Sequence, residues 1–414
     1  MNRQIKQRIE QINNGQVPTG YKKTELGIFP YDWGTKNFKQ ACDIFSGGTP
    51  DTSVSEYWNG DIPWCTPTDI SKAPKYIFDT EKKITTLGLQ ESSATLMPKN
   101  SIIMCSRATI GPRSINTIPM ATNQGFKNLI CKEGYSTEFI YHYIEIMLDK
   151  MIAKSSGSTF LELSKSTLER MICPFPTFKE QEKIAEILMK WDEAIELQEK
   201  AIEKLHTKRD AVIQRVIKKK ERWHQEILSN ILVERTEFAT KEDGYPHASL
   251  TMDGVTPKTD RYNRDFLVKS DDKKYKVTHY NDICYNPANL KFGVICVNKY
   301  ENDAIFSPIY VTYEVNPQYN TDFIGFILCS ADFIRYIRKY EEGTVYERQA
   351  VKSSDFLRGV IWVPDTKEEQ DQIASIISEI NTYIQKQVDY CNSLKQQRKA
   401  LQQYLLNGIV RVER

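Results

Sequence analysis

The sequence predicts an α+β protein in which two mixed α/β globules are separated by two long helices that pair as an antiparallel coiled coil, with an internal pseudo-two-fold repeat. The first observation behind this fold class is a duplication: the stretch at 179–217 recurs 189 positions later without a gap, so Gln181 corresponds to Gln370. The second is that both copies carry the apolar heptad spacing of a coiled coil. The third is a proline before each copy, Pro176 and Pro364, which favours a clean helix start.

The N-terminal part, residues 1–30, is predicted to form a short helix followed by an extended strip. The end of the chain at 405–410 weakly resembles the stretch at 11–17. This similarity suggests a circular arrangement in which the N-terminal strip completes what the C-terminal helix begins.

The first globule is predicted at 31–175, where short apolar runs alternate with turn signals, and the second at 221–363. Both follow one plan; for example, the helix start at Thr137 corresponds to Thr321. The first 60 or so residues of the two globules nevertheless share almost nothing. A retained framework with changed loops indicates two readers of different targets, because duplicated enzymes would be expected to keep their catalytic residues.

The two long helices are predicted at 176–220 and, with the C-terminal tail, at 364–414. Eight of ten seam positions are apolar in each copy, and the exceptions coincide, Gln198 with Gln387 and Arg209 with Arg398. Two unrelated amphipathic helices would not predict matching exceptions. Each helix would span roughly 60 Å, too long for one globular core to cover, so we expect the copies to pair with each other. The predicted seam comprises Ile184, Leu188, Trp191, Ile195, Ile202, Leu205, Ile373, Ile377, Ile380, Ile384, Leu394 and Leu401.

Composition excludes several classes of protein. The 414 residues are 40% hydrophobic and 27% charged, which indicates a soluble folded protein, and no apolar run approaches the roughly 20 residues that span a bilayer. The charged N-terminus has no apolar signal region, so we expect a cytoplasmic protein. The nine cysteines show no metal-ligand spacing and favour buried thiols in a reducing compartment. A net charge of +2 argues neither for nor against nucleic acid.

No catalytic motif is present: we find no phosphate-binding glycine loop, no paired Cys/His metal spacing and no nucleophile motif. The stretch Asn286-Pro287-Ala288-Asn289 approaches the tetrapeptide with which amino-methyltransferases hold an amine, but it lacks the second proline and the closing aromatic residue. We interpret it as a loop turn. The five histidines are isolated in the sequence. We therefore predict no catalytic residue, no metal site and no enzyme.

Several motifs resemble the conserved regions of type I restriction-modification specificity subunits. They include the Ser-Gly-Gly-Thr-Pro stretch at 46–50, the Gly-Asp-Ile-Pro-Trp stretch at 60–64, and the proline-helix boundaries at 174–188 and 363–374. The similarity covers nearly the whole chain and the order of its parts. The second globule lacks the first two signatures, so its assignment depends on the scaffold repeat.

This resemblance implies a DNA-reading subunit without catalysis. Each globule would be a target recognition domain for one half of a split, asymmetric site in double-stranded DNA, and the helical pair would set the spacer. Two methyltransferase subunits would dock on the helices and bring S-adenosylmethionine. Restriction subunits would bring ATP- and magnesium-dependent translocation and cleavage. The chain itself would hold no cofactor.

Base reading needs hydrogen-bonding side chains at base edges, whereas Lys and Arg on phosphates supply position and affinity. In the first globule we expect such contacts from Gly48, Thr49, Ser106, Arg107, Thr109, Arg113, Asn123, Gln124, Lys127, Ser158 and Thr159. In the second we expect them from Lys258, Arg261, Tyr262, Arg264, Asn289, Lys291, Tyr346 and Arg348.

Two functions of other classes remain open from the sequence. One is a stand-alone DNA-binding regulator whose coiled coil serves self-association, against which a copurifying methyltransferase would count. The other is a scaffold whose globules bind proteins. Failure to bind duplex at low salt would favour the scaffold, because phosphate binding is strongest there.

Overall fold

The computed structural model describes residues 3–157, 160–218, 220–251, 254–258, 274–342 and 349–412. They form two compact units. Unit 1 comprises Met1–Glu199 with Tyr390–Arg414, and unit 2 comprises Lys200–Asp389. The unit boundaries fall inside the two long helices, so each unit contains a globule together with one end of each helix. Within the described part of the chain, every helix is either too short or too polar to cross a bilayer.

Unit 1 begins with the N-terminal strip and continues through the first globule into the first long helix. Its helices are α1 (Arg3–Asn13), α2 (Phe38–Ala41), α3 (Pro67–Lys72), α4 (Thr86–Gln90), α5 (Thr137–Ala153), α6 (Lys165–Arg170) and the start of α7 (Phe178–Val216). Its strands are β1 (Tyr21–Thr24), β2 (Gly27–Pro30), β3 (Gly34–Asn37), β4 (Cys42–Ser46), β5 (Trp58–Cys65), β6 (Tyr76–Ile77), β7 (Lys82–Ile84), β8 (Ile102–Arg107), β9 (Thr109–Asn116), β10 (Ala121–Thr122), β11 (Phe126–Cys131) and β12 (Ile172–Phe175).

Unit 2 repeats this succession and ends in the second long helix. Its strands are β13 (Trp223–Ile227), β14 (Leu232–Glu234), β15 (Phe238–Ala239), β16 (Ala248–Thr251), β17 (Gly254–Pro257), β18 (Tyr275–Thr278), β19 (Ile283–Tyr285), β20 (Ile295–Val297), β21 (Ala304–Phe306), β22 (Val311–Val315) and β23 (Val360–Pro364). Its helices are α8 (Leu228–Ile231), α9 (Thr321–Leu328), α10 (Ala331–Ile337), α11 (Ser353–Phe356) and most of α12 (Lys367–Leu406).

The central sheets of the two units share the order of four strands, and the sheet of unit 1 has a fifth strand, β6, at its edge. In unit 1 the order is β4-β11-β8-β9-β6, and in unit 2 it is β14-β22-β19-β20. Both faces of these sheets are buried: Ile102 and Met104 on β8 face the main core, while Ile103 and Cys105 face a second cluster. Because strand side chains alternate in direction, this burial explains a nearly continuous apolar run. The sheet order confirms the predicted scaffold repeat.

The smaller sheets differ between the units, where the sequences also diverge. Unit 1 has the order β10-β5-β7, in which β10 runs parallel to β5. Unit 2 has the order β15-β18-β21, and both of its pairings are antiparallel. The variable part of each globule is thus built on its own pattern of strand pairing.

The two long helices run antiparallel within unit 1. Ion pairs join Asp192 to Arg398 at 2.8 Å and Glu199 to Lys395 at 2.6 Å, so positions rise along one helix as they fall along the other. In unit 2, Ile213 and Val216 near the end of α7 pack against the cluster that contains Ile373 and Ile377 at the start of α12. All twelve predicted seam residues are buried or half-buried, which agrees with the predicted coiled-coil pattern.

The start of each long helix is fixed to its globule by the same bond. The Gln181 side-chain oxygen accepts a hydrogen bond from the Ser136 backbone N–H, which begins α5, at 2.9 Å. The Gln370 oxygen accepts the equivalent bond from the Asn320 N–H, which begins α9, also at 2.9 Å. Both glutamines are buried. Their identity in the two sequence copies therefore has a structural cause, the capping of a globule helix.

A second repeated contact lies beside the first. In unit 1 the Trp33 indole N–H donates to buried Glu180, which also pairs with Arg411 at 2.7 Å. In unit 2 the Trp223 indole N–H donates to Glu369, which pairs with Lys220 at 3.1 Å.

The C-terminal tail also packs against the N-terminal strip of unit 1. The Tyr21 hydroxyl donates to the Gly408 carbonyl at 2.7 Å, and the Arg8 guanidinium donates to the Ile409 carbonyl at 2.8 Å. The tail side chains Val410 and Val412 pack on the main core of this unit. The expected meeting of strip and tail is therefore present.

Candidate nucleic-acid interface

The two glycines after β4 are buried. The Gly48 N–H donates to the Thr122 carbonyl at 2.9 Å, and the Gly48 carbonyl accepts from the Trp64 indole at 2.9 Å. A side chain on Gly47 would overlap the Asn123 carbonyl. The close backbone approach that the glycines allow is therefore to the protein itself. This corrects the expectation for Gly48, whose polar groups are occupied internally and do not face a ligand.

The residues around these glycines form one connected surface. The Thr49 hydroxyl contacts the Gln124 side-chain oxygen, and the Asn123 side chain accepts from the Gly125 N–H at 2.9 Å. The Gly125 carbonyl in turn accepts from the Ser106 N–H at 2.8 Å. Arg107 follows directly, and Thr109 lies opposite it across a tight bend. We call this set reading surface 1; its members are Thr49, Ser106, Arg107, Thr109, Asn123, Gln124 and Lys127, with the residues Phe160 and Glu162 described next.

The loop before α6 completes reading surface 1. Glu162 lies 3.4 Å from the Lys127 ammonium group and 3.9 Å from the Arg107 guanidinium. Phe160 is 57% exposed, and its ring centroid lies 6.0 Å from the Arg107 guanidinium carbon. Sequence reasoning missed both residues, because only the tertiary pairing of this loop with β8 brings them to Arg107.

Members of reading surface 1 differ in what they can offer a ligand. Arg107, Thr109 and Gln124 are exposed, and Thr49 and Asn123 are half-buried. Ser106 is buried, and the Lys127 side chain is only 5% exposed. Lys127 therefore cannot reach a phosphate directly in this conformation and instead pairs with Glu162.

Arg113 lies away from reading surface 1. Its guanidinium donates to the Tyr141 carbonyl at 2.8 Å, to the Gly111 carbonyl at 3.1 Å and to Glu145 at 2.8 Å. It also stacks on the Tyr141 ring, and its side chain is 7% exposed. The structure thus assigns Arg113 to the contact between β9 and α5, which corrects its predicted place among the DNA contacts.

In unit 2 two predicted residues share the loop between β19 and β20. Asn289 is exposed, and the Lys291 ammonium group lies 5.2 Å from the Phe292 ring centroid. The buried Asn286 side chain accepts from the Ala288 N–H at 3.1 Å and closes a turn. This geometry agrees with the interpretation of the 286–289 stretch as a loop turn.

Other predicted residues of unit 2 are less connected or lie outside the described residues. Lys258 is exposed, and its backbone N–H donates to the His247 carbonyl at 2.8 Å. Predicted contacts that lie outside the described residues are Ser158 and Thr159 in unit 1 and Arg261, Tyr262, Arg264, Tyr346 and Arg348 in unit 2.

Unit 2 contains a charged pair that the sequence did not indicate. The Lys276 side chain is 5% exposed; its ammonium group lies 3.3 Å from Glu234 and 5.0 Å from the centroid of the exposed Phe238 ring. The Ser353 hydroxyl also donates to Glu234. Unit 2 thus shares with reading surface 1 a buried lysine paired with a half-exposed glutamate near an exposed phenylalanine, but here the lysine itself lies beside the aromatic ring.

One histidine is less isolated than the sequence suggested. His279 lies between Glu237 at 2.8 Å and Asp303 at 2.7 Å. Burial opposes its protonation, but hydrogen bonds to the two carboxylates outweigh burial and raise the pKa of His279 above its ordinary value. Over the described ranges of the chain, no three His, Cys, Asp or Glu residues converge as a metal site would require.

Parts of the sequence match known proteins. Residues 30–207 match the family model described as type I restriction modification DNA specificity domain. The type I restriction enzyme MjaIX specificity subunit of Methanocaldococcus jannaschii is 40% identical over 185 residues, which cover 44% of this chain and 43% of that protein. The EcoR124I/EcoR124II specificity subunit of Escherichia coli is 32% identical over 155 residues, covering 36% of this chain and 38% of that protein. The matches thus span less than half the length of these curated relatives.

Solved structures extend the likeness in fold to nearly the whole chain. The S subunit of a type I restriction-modification system from M. genitalium superposes with a TM-score of 0.51 at 15% identity, covering 90% of this chain and 96% of that one. A chain from a structural study of complex assembly and conformational transition in the type I system gives a TM-score of 0.61 at 13% identity, with 92% and 99% coverage. At such identities the likeness establishes the fold alone, and it confirms the predicted fold class.

Proposed function

We propose that the protein is the non-catalytic DNA-recognition subunit of a type I restriction-modification complex, because residues 30–207 match the model of the type I restriction modification DNA specificity domain. Each unit reads one half of a bipartite, asymmetric site in double-stranded DNA. The observation that carries this proposal is the repeated scaffold with unlike surfaces. Both units keep one central strand order, whereas their smaller sheets and loops differ.

Reading surface 1 supplies suitable chemistry for one half-site. An exposed arginine can donate two hydrogen bonds to guanine, and a glutamine can pair with adenine; each good pair is worth about 1–3 kcal/mol of discrimination. Arg107 and Gln124 are exposed and lie on connected loops. In unit 2, Asn289 and Lys291 lie in the loop after β19. This strand corresponds to β8, the strand that ends at Arg107 in unit 1. Different side chains on one scaffold would give different half-sites.

The long helices are proposed to set the spacer between the half-sites and to dock two methyltransferase subunits. Helix α7 has 39 residues and α12 has 40. Their length would set the separation of the half-sites, so a longer or shorter helical pair would change the number of unread base pairs. Both helices carry exposed large apolar side chains, including Leu197 at 68%, Tyr383 at 53% and Tyr390 at 55% exposure. Single exposed apolar side chains are common on protein surfaces, so the docking proposal rests on the likeness to type I specificity subunits.

The chemistry of the complex is proposed to reside on the partner subunits. Methyltransferase subunits would bind S-adenosylmethionine, and restriction subunits, where present, would use ATP and magnesium. This chain would contribute recognition alone.

A genome-wide map of methylated adenines tests the proposal. The map is made in source cells with the gene intact and deleted, and the intact gene is then restored as a control. We expect a two-part motif with a fixed gap to lose methylation on deletion and to regain it on restoration. Identical maps in cells that express both this chain and a partner methyltransferase would refute the recognition role.

A further inference from the structure

Glu162 is an acidic side chain in the middle of a surface assigned to DNA. Its position is fixed by the backbone on both sides: the Glu162 N–H donates to the Ser156 carbonyl at 2.9 Å, and the Leu163 N–H donates to the Ser106 carbonyl at 2.8 Å. The Glu162 side chain is 41% exposed. The carboxylate is therefore held in place while it remains open to an approaching ligand.

Two cations share this carboxylate. Lys127 is nearly buried and lies 3.4 Å away, and Arg107 is 47% exposed and lies 3.9 Å away. A buried ammonium group needs a counter-charge, and Glu162 supplies it for Lys127. Because Lys127 is nearly buried and Glu162 is 41% exposed, the carboxylate is the member of this pair that an approaching ligand meets. Arg107 has longer contacts: its Nε lies 3.9 Å from Glu162, and its guanidinium carbon lies 6.0 Å from the Phe160 ring centroid. These contacts bias the position of the guanidinium without fixing it.

A carboxylate at this place opposes phosphate binding. The DNA backbone is polyanionic, and a fixed negative charge beside Arg107 repels any phosphate that would pair with Arg107. A base edge carries no net charge and meets little of this repulsion. Specific binding requires such discrimination against the wrong partner as well as attraction to the right one.

We propose that Glu162 is a positioning and specificity-determining residue that orients Arg107 toward a base edge and disfavours its pairing with phosphates of non-target DNA. This inference rests on the DNA-recognition function proposed above. Unit 2 carries a related pair, Glu234 with the buried Lys276, in which the lysine rather than an arginine lies beside the exposed Phe238 ring.

The test compares Glu162→Gln with wild type in the full-length chain. Binding is measured between about 50 and 200 mM salt for two duplexes of equal length, one with the motif from the methylation map and one of random sequence. We expect the variant to bind the random duplex about fivefold more tightly near 0.15 M salt, with a salt dependence steeper by about one ion, as one added phosphate contact predicts. The ratio of motif to random affinity should fall.

Three further variants separate positioning from a structural role. Glu133→Gln removes an exposed carboxylate beyond the far end of β11 and should bind as wild type. In an Arg107→Ala background, Glu162→Gln should have no further effect. Glu162→Asp keeps the charge beside Lys127 but withdraws it from Arg107, so its salt dependence should lie between those of wild type and Glu162→Gln, and part of the motif preference should be lost. If Glu162→Gln does not fold, the motif preference of Glu162→Asp still tests the inference.

The outcomes distinguish the inference from the function on which it depends. Equal weakening of both duplexes with unchanged salt dependence would make Glu162 a structural residue and overturn the inference. So would unchanged affinities, or an Asp variant with the full wild-type motif preference. A wild-type chain that binds neither duplex at low salt would overturn the proposed function, and this inference with it.

Discussion

Substituting Arg411 by alanine should strongly destabilise unit 1. The Arg411 guanidinium donates to both oxygens of Glu180, at 2.7 and 2.9 Å, and to both oxygens of Asp32, at 3.0 Å each. The Glu180 side chain is 1% exposed and has one further partner, the Trp33 indole N–H at 3.3 Å. Removing Arg411 would leave a buried carboxylate with a single neutral donor.

The magnitude follows from burial. Breaking a buried ion pair by removing one partner costs about 3–5 kcal/mol, because the remaining charge stays out of water. Arg411 is 24% exposed, so water can partly replace it, and we expect the lower part of that range. For a unit of this size the loss corresponds to a fall in melting temperature of roughly 10 °C.

Unit 2 provides a matched control. Lys220 pairs with Glu369 as Arg411 pairs with Glu180, but the two side chains are 50% and 31% exposed. An exposed pair contributes about 0–1 kcal/mol, so Lys220→Ala should cost little. The double substitution Arg411→Ala with Glu180→Gln should recover much of the loss, because the uncompensated charge is gone.

Hydrogen–deuterium exchange read by mass spectrometry resolves the two units separately. Peptides from β8 and β11 report on unit 1, and those from β19 and β22 report on unit 2. Arg411→Ala should accelerate exchange in the first pair alone. A loss below about 1 kcal/mol, or one equal to that of Lys220→Ala, would refute the reasoning from burial.

Two further predictions concern unit 1. Gly47→Ala should disturb the loop at 122–125 and lower the free energy of unfolding by about 1–3 kcal/mol through overpacking. Gly34→Ala is the control: a methyl group there meets no neighbour within 4 Å, so melting and duplex binding should be unchanged. Equal effects of the two substitutions would contradict this prediction. Burial, together with the cations Lys75, Arg398 and Arg113, lowers the pKa of His142 from 6.5 to about 2. Between pH 6.5 and pH 2 only the unfolded chain then binds this proton. The free energy of unfolding is therefore unaffected by His142 above pH 6.5 and falls as the pH drops, by roughly 3 kcal/mol at pH 4.5. Denaturation profiles of wild type and His142→Phe should therefore diverge as the pH falls, and parallel profiles would show the prediction to be wrong.

The sequence was sufficient for the scaffold because the scaffold is encoded locally and twice. The heptad seam predicted residues of α7 and α12 that are buried or half-buried, and the repeat predicted that the two globules share a scaffold. The identity of Gln181 and Gln370 was visible in the sequence, but its cause was not. That cause is a hydrogen bond to a helix start 45 residues earlier in unit 1 and 50 residues earlier in unit 2.

The candidate site was less predictable because its geometry is set by contacts distant in sequence. Glu162 reaches Arg107 only through the pairing of a loop with β8. Arg113 looked available as a sequence neighbour of the β8–β9 bend, but α5 satisfies its guanidinium. A glycine at position 48 indicates that another group packs closely against the backbone. The sequence does not show that this group belongs to the protein itself, the Thr122 backbone and the Trp64 indole.

The division of the long helices between the units has a consequence for biosynthesis. Unit 2 is one continuous stretch of chain and can complete its contacts as soon as residue 389 has left the ribosome. Unit 1 begins first but must wait for 390–412, because Leu405, Leu406 and Arg411 belong to its core and to the Glu180 contact. The globule made first is therefore the one finished last. Until then its main core lacks part of its cover, and this is the interval in which a nascent chain is most exposed to aggregation.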